Sequence, residues 1–177
     1  MDIFLPHFRK QIDEFMRSHP QSPLDAGQRA GFTGLAYYDE NPDLAFVATP
    51  ERLPDDDPLI EMETSTGDAR PFRRWGVIAF AVDGEPAQLT IYIDAAGSYF
   101  FLPFRDATSG TETYGAGRYL DNHRPGLALL DDGSVEVNFN YAYNPYCAYS
   151  PYFSCPLPPR ENWLGVAIRA GEKDMVR

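Results

Sequence analysis

Residues Trp75 to Val82 are nearly all apolar, and an Asp83-Gly84 pair follows them directly. A run that short and that apolar has no polar face to show to water, so it reads as a central strand covered on both sides. Asp-Gly suits the positive φ angles of a two-residue hairpin turn. Beyond it Leu89, Ile91 and Ile93 alternate with Gln88, Thr90 and Tyr92, the period of a strand that turns one face to a core. The chain must therefore build layers around this hairpin.

Other segments repeat the pattern. Leu44–Ala48 is a short apolar run between Asn41-Pro42 and Pro50, and Ile60, Met62 and Thr64 alternate with Glu61, Glu63 and Ser65. Ser98–Phe104 reads as a strand, and Leu127–Leu130 and Val135–Phe139 flank a second Asp-Gly turn at Asp132-Gly133. A last strand is expected from Trp163 to Ile168. Before all of these, Phe4, Phe8, Ile12, Phe15 and Met16 recur at helical spacing up to His19-Pro20. Ser22-Pro23-Leu24-Asp25 then reads as an N-cap, a proline in the first turn and a short helix to Ala30, stopped by Gly31. The expectation is a mainly β (α+β) fold: an antiparallel β-sandwich or partly open β-barrel with one or two N-terminal helices. It is expected as one domain, with a helical segment over residues 1–31 and a β core over 32–177.

Charge narrows the partners. Twenty-six acidic against fifteen basic residues give a formal charge of −11, which opposes binding to phosphate backbones and anionic lipid surfaces. Lys10 and Lys173 are the two lysines; a salty habitat or a GC-rich genome would each favour that bias, so it carries no functional weight. Charges interrupt Met1–Ser18, so it lacks the apolar core of a signal peptide, and no apolar run is long enough to span a membrane. A cytoplasmic protein that engages neither nucleic acid nor membrane is expected.

Two long polar and aromatic stretches break the strand rhythm: Arg105–Tyr119 and Asn140–Asn162. Such connections usually hold function. They contain F-R-D-x-T-x-G-x-x-T-Y-G-x-G-R-Y, then F-N-x-A-Y-N-P-x-C-A-Y and C-P-L-P-P-x-E-N, and I-R-A-G-E-K follows. With these motifs the chain resembles DUF1684, a family of uncharacterised bacterial and archaeal proteins, most closely from Phe101 to Lys173. Asn138, where an aspartate is expected, and Trp163 depart from the pattern. The resemblance implies a shared fold and site and brings no activity, cofactor or catalytic residue.

The glycines invite a nucleotide reading that fails. Gly110 and Gly115 have phosphate-loop spacing, but Ala116-Gly117 stands where Lys-Ser/Thr is needed, and Leu120 replaces the last glycine of a dinucleotide fingerprint. Gly110, Gly115 and Gly117 are instead expected to supply positive φ. Arg105 and Arg118 have the fork geometry to grip a small anionic or polar ligand, with Tyr114, Asn140 and Tyr143 orienting it. In a hydrolase or lyase, Asp106 or Glu112 would serve as general base. The architectural alternative pairs Arg105 with Glu112 and Arg118 with Asp106, and leaves the domain to act through a protein partner. Asn144 is expected to hold its loop. Cys147 and Cys155 lack the companions of a zinc site, and a nucleophilic Cys147 would need a distant histidine, so a buried small thiol is the simplest role. No metal and no cofactor is called for.

Overall fold

The computed structural model describes residues 1–175. Helix α1 (Leu5–Ser18) forms where the helical spacing places it, and Phe8, Ile12, Phe15 and Met16 pack inward, but Phe4 is exposed and Leu5 is buried in its place. Helix α2 (Ala26–Ala30) starts later than the sequence suggests, because Asp25 rather than Ser22 is its N-cap. Asp25 and Gln28 exchange side-chain and backbone bonds of 2.8 Å each, a reciprocal box that satisfies helix-end donors. The Ser22 hydroxyl instead donates to the Met16 carbonyl in the last turn of α1.

Nine strands follow: β1 (Ala45–Ala48), β2 (Glu51–Arg52), β3 (Ile60–Glu63), β4 (Ala69–Val82), β5 (Glu85–Asp94), β6 (Phe100–Phe104), β7 (Arg118–Asp121), β8 (Leu127–Leu129) and β9 (Val135–Asn138). All pairings between them are antiparallel. The smaller sheet has the order β1-β9-β8; the larger runs β2-β4-β5-β6-β7, with β3 also paired to β4. The two sheets make a sandwich-like α+β fold and do not close into a barrel. Asp83 and Gly84 join β4 to β5 with φ of 51° and 82°, the double positive turn that the Asp-Gly pair announced.

The larger sheet is covered on both faces. Inward from the sandwich, Ile78, Leu89, Ile91, Leu102, Phe104 and Leu120 meet Leu127, Val135 and Val137 of the smaller sheet. On the opposite face Phe72, Tyr92, Phe101 and Tyr119, one from each of four adjacent strands, gather with Met62 and Cys155. Phe72 and Ile78 are both even positions of β4 and yet face opposite ways. The register of β4 on β5 shifts between Arg74 and Gly76, and one inserted residue exchanges the two faces of a strand.

Two expectations fail. Residues 163–168 form no strand: Arg105 and Trp163 make one isolated parallel bridge, after which the chain is irregular. And β7 arises inside the stretch that reads as loop, because Phe101–Phe104 pairs with Arg118–Asp121 across the intervening residues.

Candidate functional site

The residues singled out in the first long stretch are committed to the framework. Arg118 is buried at the start of β7, and its guanidinium donates to the carbonyls of Ile168, Ala170 and Glu172. Asp106 lies 3.5 Å from it and accepts from the Thr108 and Ser109 hydroxyls and the Ile168 N–H. That ion pair is the one the architectural alternative expects. Its other pair is absent: Glu112 is bound by Arg169 at 2.8 Å and by the Tyr38 hydroxyl at 2.9 Å, while Arg105 lies over the Trp163 ring, 4.3 Å from its centre. Bonds from Arg169 and then Tyr38 hold the Glu112 carboxyl below its ordinary range, away from the neutral pKa of a general base.

The glycines behave as loop residues, two of the three as expected. Gly110 and Gly117 have positive φ, whereas Gly115 does not. At Gly117 a Cβ would also sit 2.5 Å from the Phe104 carbonyl oxygen, so that position excludes any side chain.

The amide side chains also hold backbone. Asn140 exchanges two 2.8 Å bonds with the backbone of Asn41 and adds one to Asn138. Asn144 donates to the Glu172 carboxylate and to the Lys173 carbonyl, the loop-holding role expected of it. Asn162 is completely buried and bridges the gap where β5 and β6 splay, bonding Thr90 N–H, Thr90 C=O and Pro103 C=O at 2.8 Å each.

A cavity of about 400 Å³ opens on the aromatic outer face of the larger sheet. Phe72, Tyr99, Phe101 and Tyr119 line it from the sheet side, and Tyr143, Pro145, Tyr146 and Phe153 to Pro156 from the second long stretch. Tyr143 is fixed there because its backbone exchanges two hydrogen bonds with Tyr119, at 2.9 and 3.1 Å. The Tyr119 hydroxyl donates to the Pro156 carbonyl and ties the far end of the stretch to the sheet. Of the expected ligand residues, Tyr143 lines this cavity. Tyr114, its hydroxyl 3.7 Å from Cys147 Sγ, does not line it, nor do Arg105, Asp106, Glu112, Arg118 and Asn140.

Two cations that sequence reasoning missed do line it. The Arg124 guanidinium lies 3.9 Å from the centre of the Tyr143 ring, and Arg70 donates to the Ser154 carbonyl at 2.7 Å. Among the described residues neither forms an ion pair. Behind the cavity the buried Asp121 carboxylate accepts from the Tyr143 hydroxyl, from the Tyr99 hydroxyl at 3.2 Å and from the His123 N–H at 2.8 Å. Burial first, and then the Asp121 charge, push both phenols above their ordinary pKa, so they remain donors to that carboxylate. Among the described residues no group of three or more His, Cys, Asp or Glu could hold a metal, and no helix is long and apolar enough to cross a membrane.

The family model for proteins of unknown function, DUF1684, matches residues 30–173. The chain belongs to this family. A solved structure with the same architecture is the solution NMR structure of an uncharacterised protein from Haloarcula marismortui. It is 38% identical, with a TM-score of 0.71, over 96% of this chain and 91% of that one. No protein of curated function matches. The DUF1684 match spans the sheets and both long stretches, so the framework residues and the cavity all lie inside it.

Proposed function

We propose that this DUF1684 protein binds a small organic anion with a flat, apolar body in the cavity over the aromatic face of the larger sheet. The observation that carries the reading is the pair Arg70 and Arg124. Both line one cavity, and neither is ion-paired among the described residues of a chain whose formal charge is −11. Where carboxylates outnumber cations, two arginines in no ion pair beside one aromatic cavity suit an anion brought from outside. The rings of Phe101, Tyr119, Tyr143 and Phe153 supply the apolar walls that a small ligand needs.

The anion-gripping role has less support at Arg105 and Arg118: one lies over the Trp163 ring, and the other is buried, donating to three carbonyls beside Asp106. The hydrolase or lyase alternative has less support, since Asp106 and Glu112 are both spent on structural partners.

Thermal denaturation in the presence of benzoate, phenyl phosphate and the neutral benzamide tests the reading. A saturable rise in midpoint with the anions and none with benzamide is expected, lost in an Arg70→Gln/Arg124→Gln protein that keeps its circular dichroism. No response to either anion, or an equal response from the double variant, overturns it.

A further inference from the structure

Cys147 and Cys155 lie in the second long stretch, Cys155 in the cavity lining, and seven residues separate them. The backbone brings them back together: the Cys147 N–H donates to Cys155 Sγ at 3.3 Å. A cysteine sulfur never lies far from its own backbone nitrogen, so the two sulfurs are neighbours. Each end is held independently. Cys147 sits in a single 3₁₀ turn, Tyr146–Ala148. Cys155 is paired to Ser65 by two bonds, its N–H to the Ser65 hydroxyl at 3.1 Å and its carbonyl from the Ser65 N–H at 2.9 Å. Both thiols are free; Cys147 is partly exposed, and Cys155 is buried in the cavity wall.

We propose that Cys147 and Cys155 are a redox-active dithiol that exchanges with low-molecular-weight disulfides of the glutathione class. Cys147 is the attacking sulfur and Cys155 the resolving one. Accessibility assigns these roles: Cys147 is partly exposed and meets a small disulfide first, whereas Cys155 is buried behind it. The two thiols interact closely enough that a thiolate on one disfavours a thiolate on the other, and the Tyr114 hydroxyl lies 3.7 Å from Cys147 Sγ.

The exchange has two steps. The Cys147 thiolate forms a bond to one sulfur of the small disulfide, whose S–S bond breaks, and the other half departs as a thiolate. Cys155, losing its proton to that departing thiolate, then attacks Cys147 Sγ and expels the second half as a thiolate. The protein is oxidised by two electrons to an internal disulfide, and the small disulfide is reduced to two thiol molecules. The new bond closes a short ring over Cys147–Cys155 and locks the cavity wall that Cys155 provides. The dithiol does not depend on what occupies the cavity, so it stands or falls apart from the anion-binding reading.

The reduced full chain, exposed to excess oxidised glutathione at neutral pH, acid-quenched, unfolded and alkylated, tests it by mass spectrometry. The expected product is lighter by two hydrogens, carries no alkyl label on either cysteine and yields a cross-linked peptide joining residues 147 and 155. Cys155→Ser stops at one glutathione on Cys147, and Cys147→Ser is modified at least about tenfold more slowly. Two alkylatable thiols after oxidation of the wild-type chain overturn the proposal. So does a wild-type glutathione adduct that never resolves. The wild-type result decides the matter even where a serine variant fails to fold.

Discussion

The Arg118 guanidinium stands 3.5 Å from the Asp106 carboxylate, and neither side chain has any solvent exposure. Together they clamp the 168–172 segment, Asp106 through the Ile168 N–H and Arg118 through three carbonyls. Removing one partner of such a pair leaves a bare charge in the interior, at a cost of about 3–5 kcal/mol. Asp106→Ala is therefore expected to lower stability by that amount in urea unfolding. The double variant Asp106→Ala/Arg118→Met should lose less than the sum of the two single losses, because it leaves no orphaned charge.

Asn162 does with a side chain what a strand would do with backbone. It satisfies the N–H and C=O of Thr90 and the C=O of Pro103 where β5 and β6 part. Asn162→Ala leaves three buried polar groups unpaired, and each such group costs about 1–3 kcal/mol. A loss of at least about 3 kcal/mol in urea unfolding is expected. Hydrogen exchange at the Thr90 amide should accelerate beyond what the global loss accounts for.

These two arrangements mark where the sequence stops being legible. The β4–β5 hairpin could be read because its information is local: an apolar run, Asp83-Gly84 and an alternating partner. The 163–168 segment misled because Trp163, Leu164, Val166 and Ile168 are apolar enough for a strand. Yet Asp106 and Arg118 take the N–H and C=O of Ile168 at its end. The charged cluster 105–118 looked like a site because clustered charges in a long loop look alike whether they face water or one another. Its partners were remote: Arg169 for Glu112, Trp163 for Arg105. Nothing local separates Arg70 and Arg124 from the other arginines. One legible signal was overlooked: Phe101 and Tyr119 are aromatic at positions opposite to the core-facing Leu102 and Leu120, which marks a second covered face.

Glu172 makes stability depend on pH. Its carboxyl is buried, and burial pushes its pKa up to about 8 despite the Asn144 bonds and the Arg124 and Arg118 charges; the Tyr37 hydroxyl also faces it. Below about pH 4.5 the group is protonated in folded and unfolded chains alike. Between about 4.5 and 8 the unfolded chain releases the proton while the folded one keeps it. Stability then falls as pH rises, by up to about 1.4 kcal/mol per pH unit from this group, and the fall ends above the folded pKa. Unfolding measured from pH 5 to 9 should show Glu172→Gln gaining on the wild type across that window. Parallel curves would mean that Glu172 ionises normally.

Arg124 is the residue on which the cavity reading turns. Its guanidinium rests on the Tyr143 ring and makes no ion pair or side-chain hydrogen bond among the described residues. Removing its charge should therefore cost only the roughly 1–2 kcal/mol of a partly buried cation–π contact. A charge-assisted bond to a bound anion contributes about 1.5–3 kcal/mol. Arg124→Gln is expected to weaken binding of phenyl phosphate by about ten- to a hundredfold in titration calorimetry, in a protein that still unfolds cooperatively with a modestly lowered midpoint. Tyr143→Phe separates the ring from the hydroxyl: it keeps the apolar wall and frees Asp121 of one donor. It should retain most of the affinity while losing stability. If Arg124→Gln instead unfolds the protein and leaves phenyl phosphate affinity intact, the guanidinium is a clamp for the Tyr143 loop and the anion site lies elsewhere.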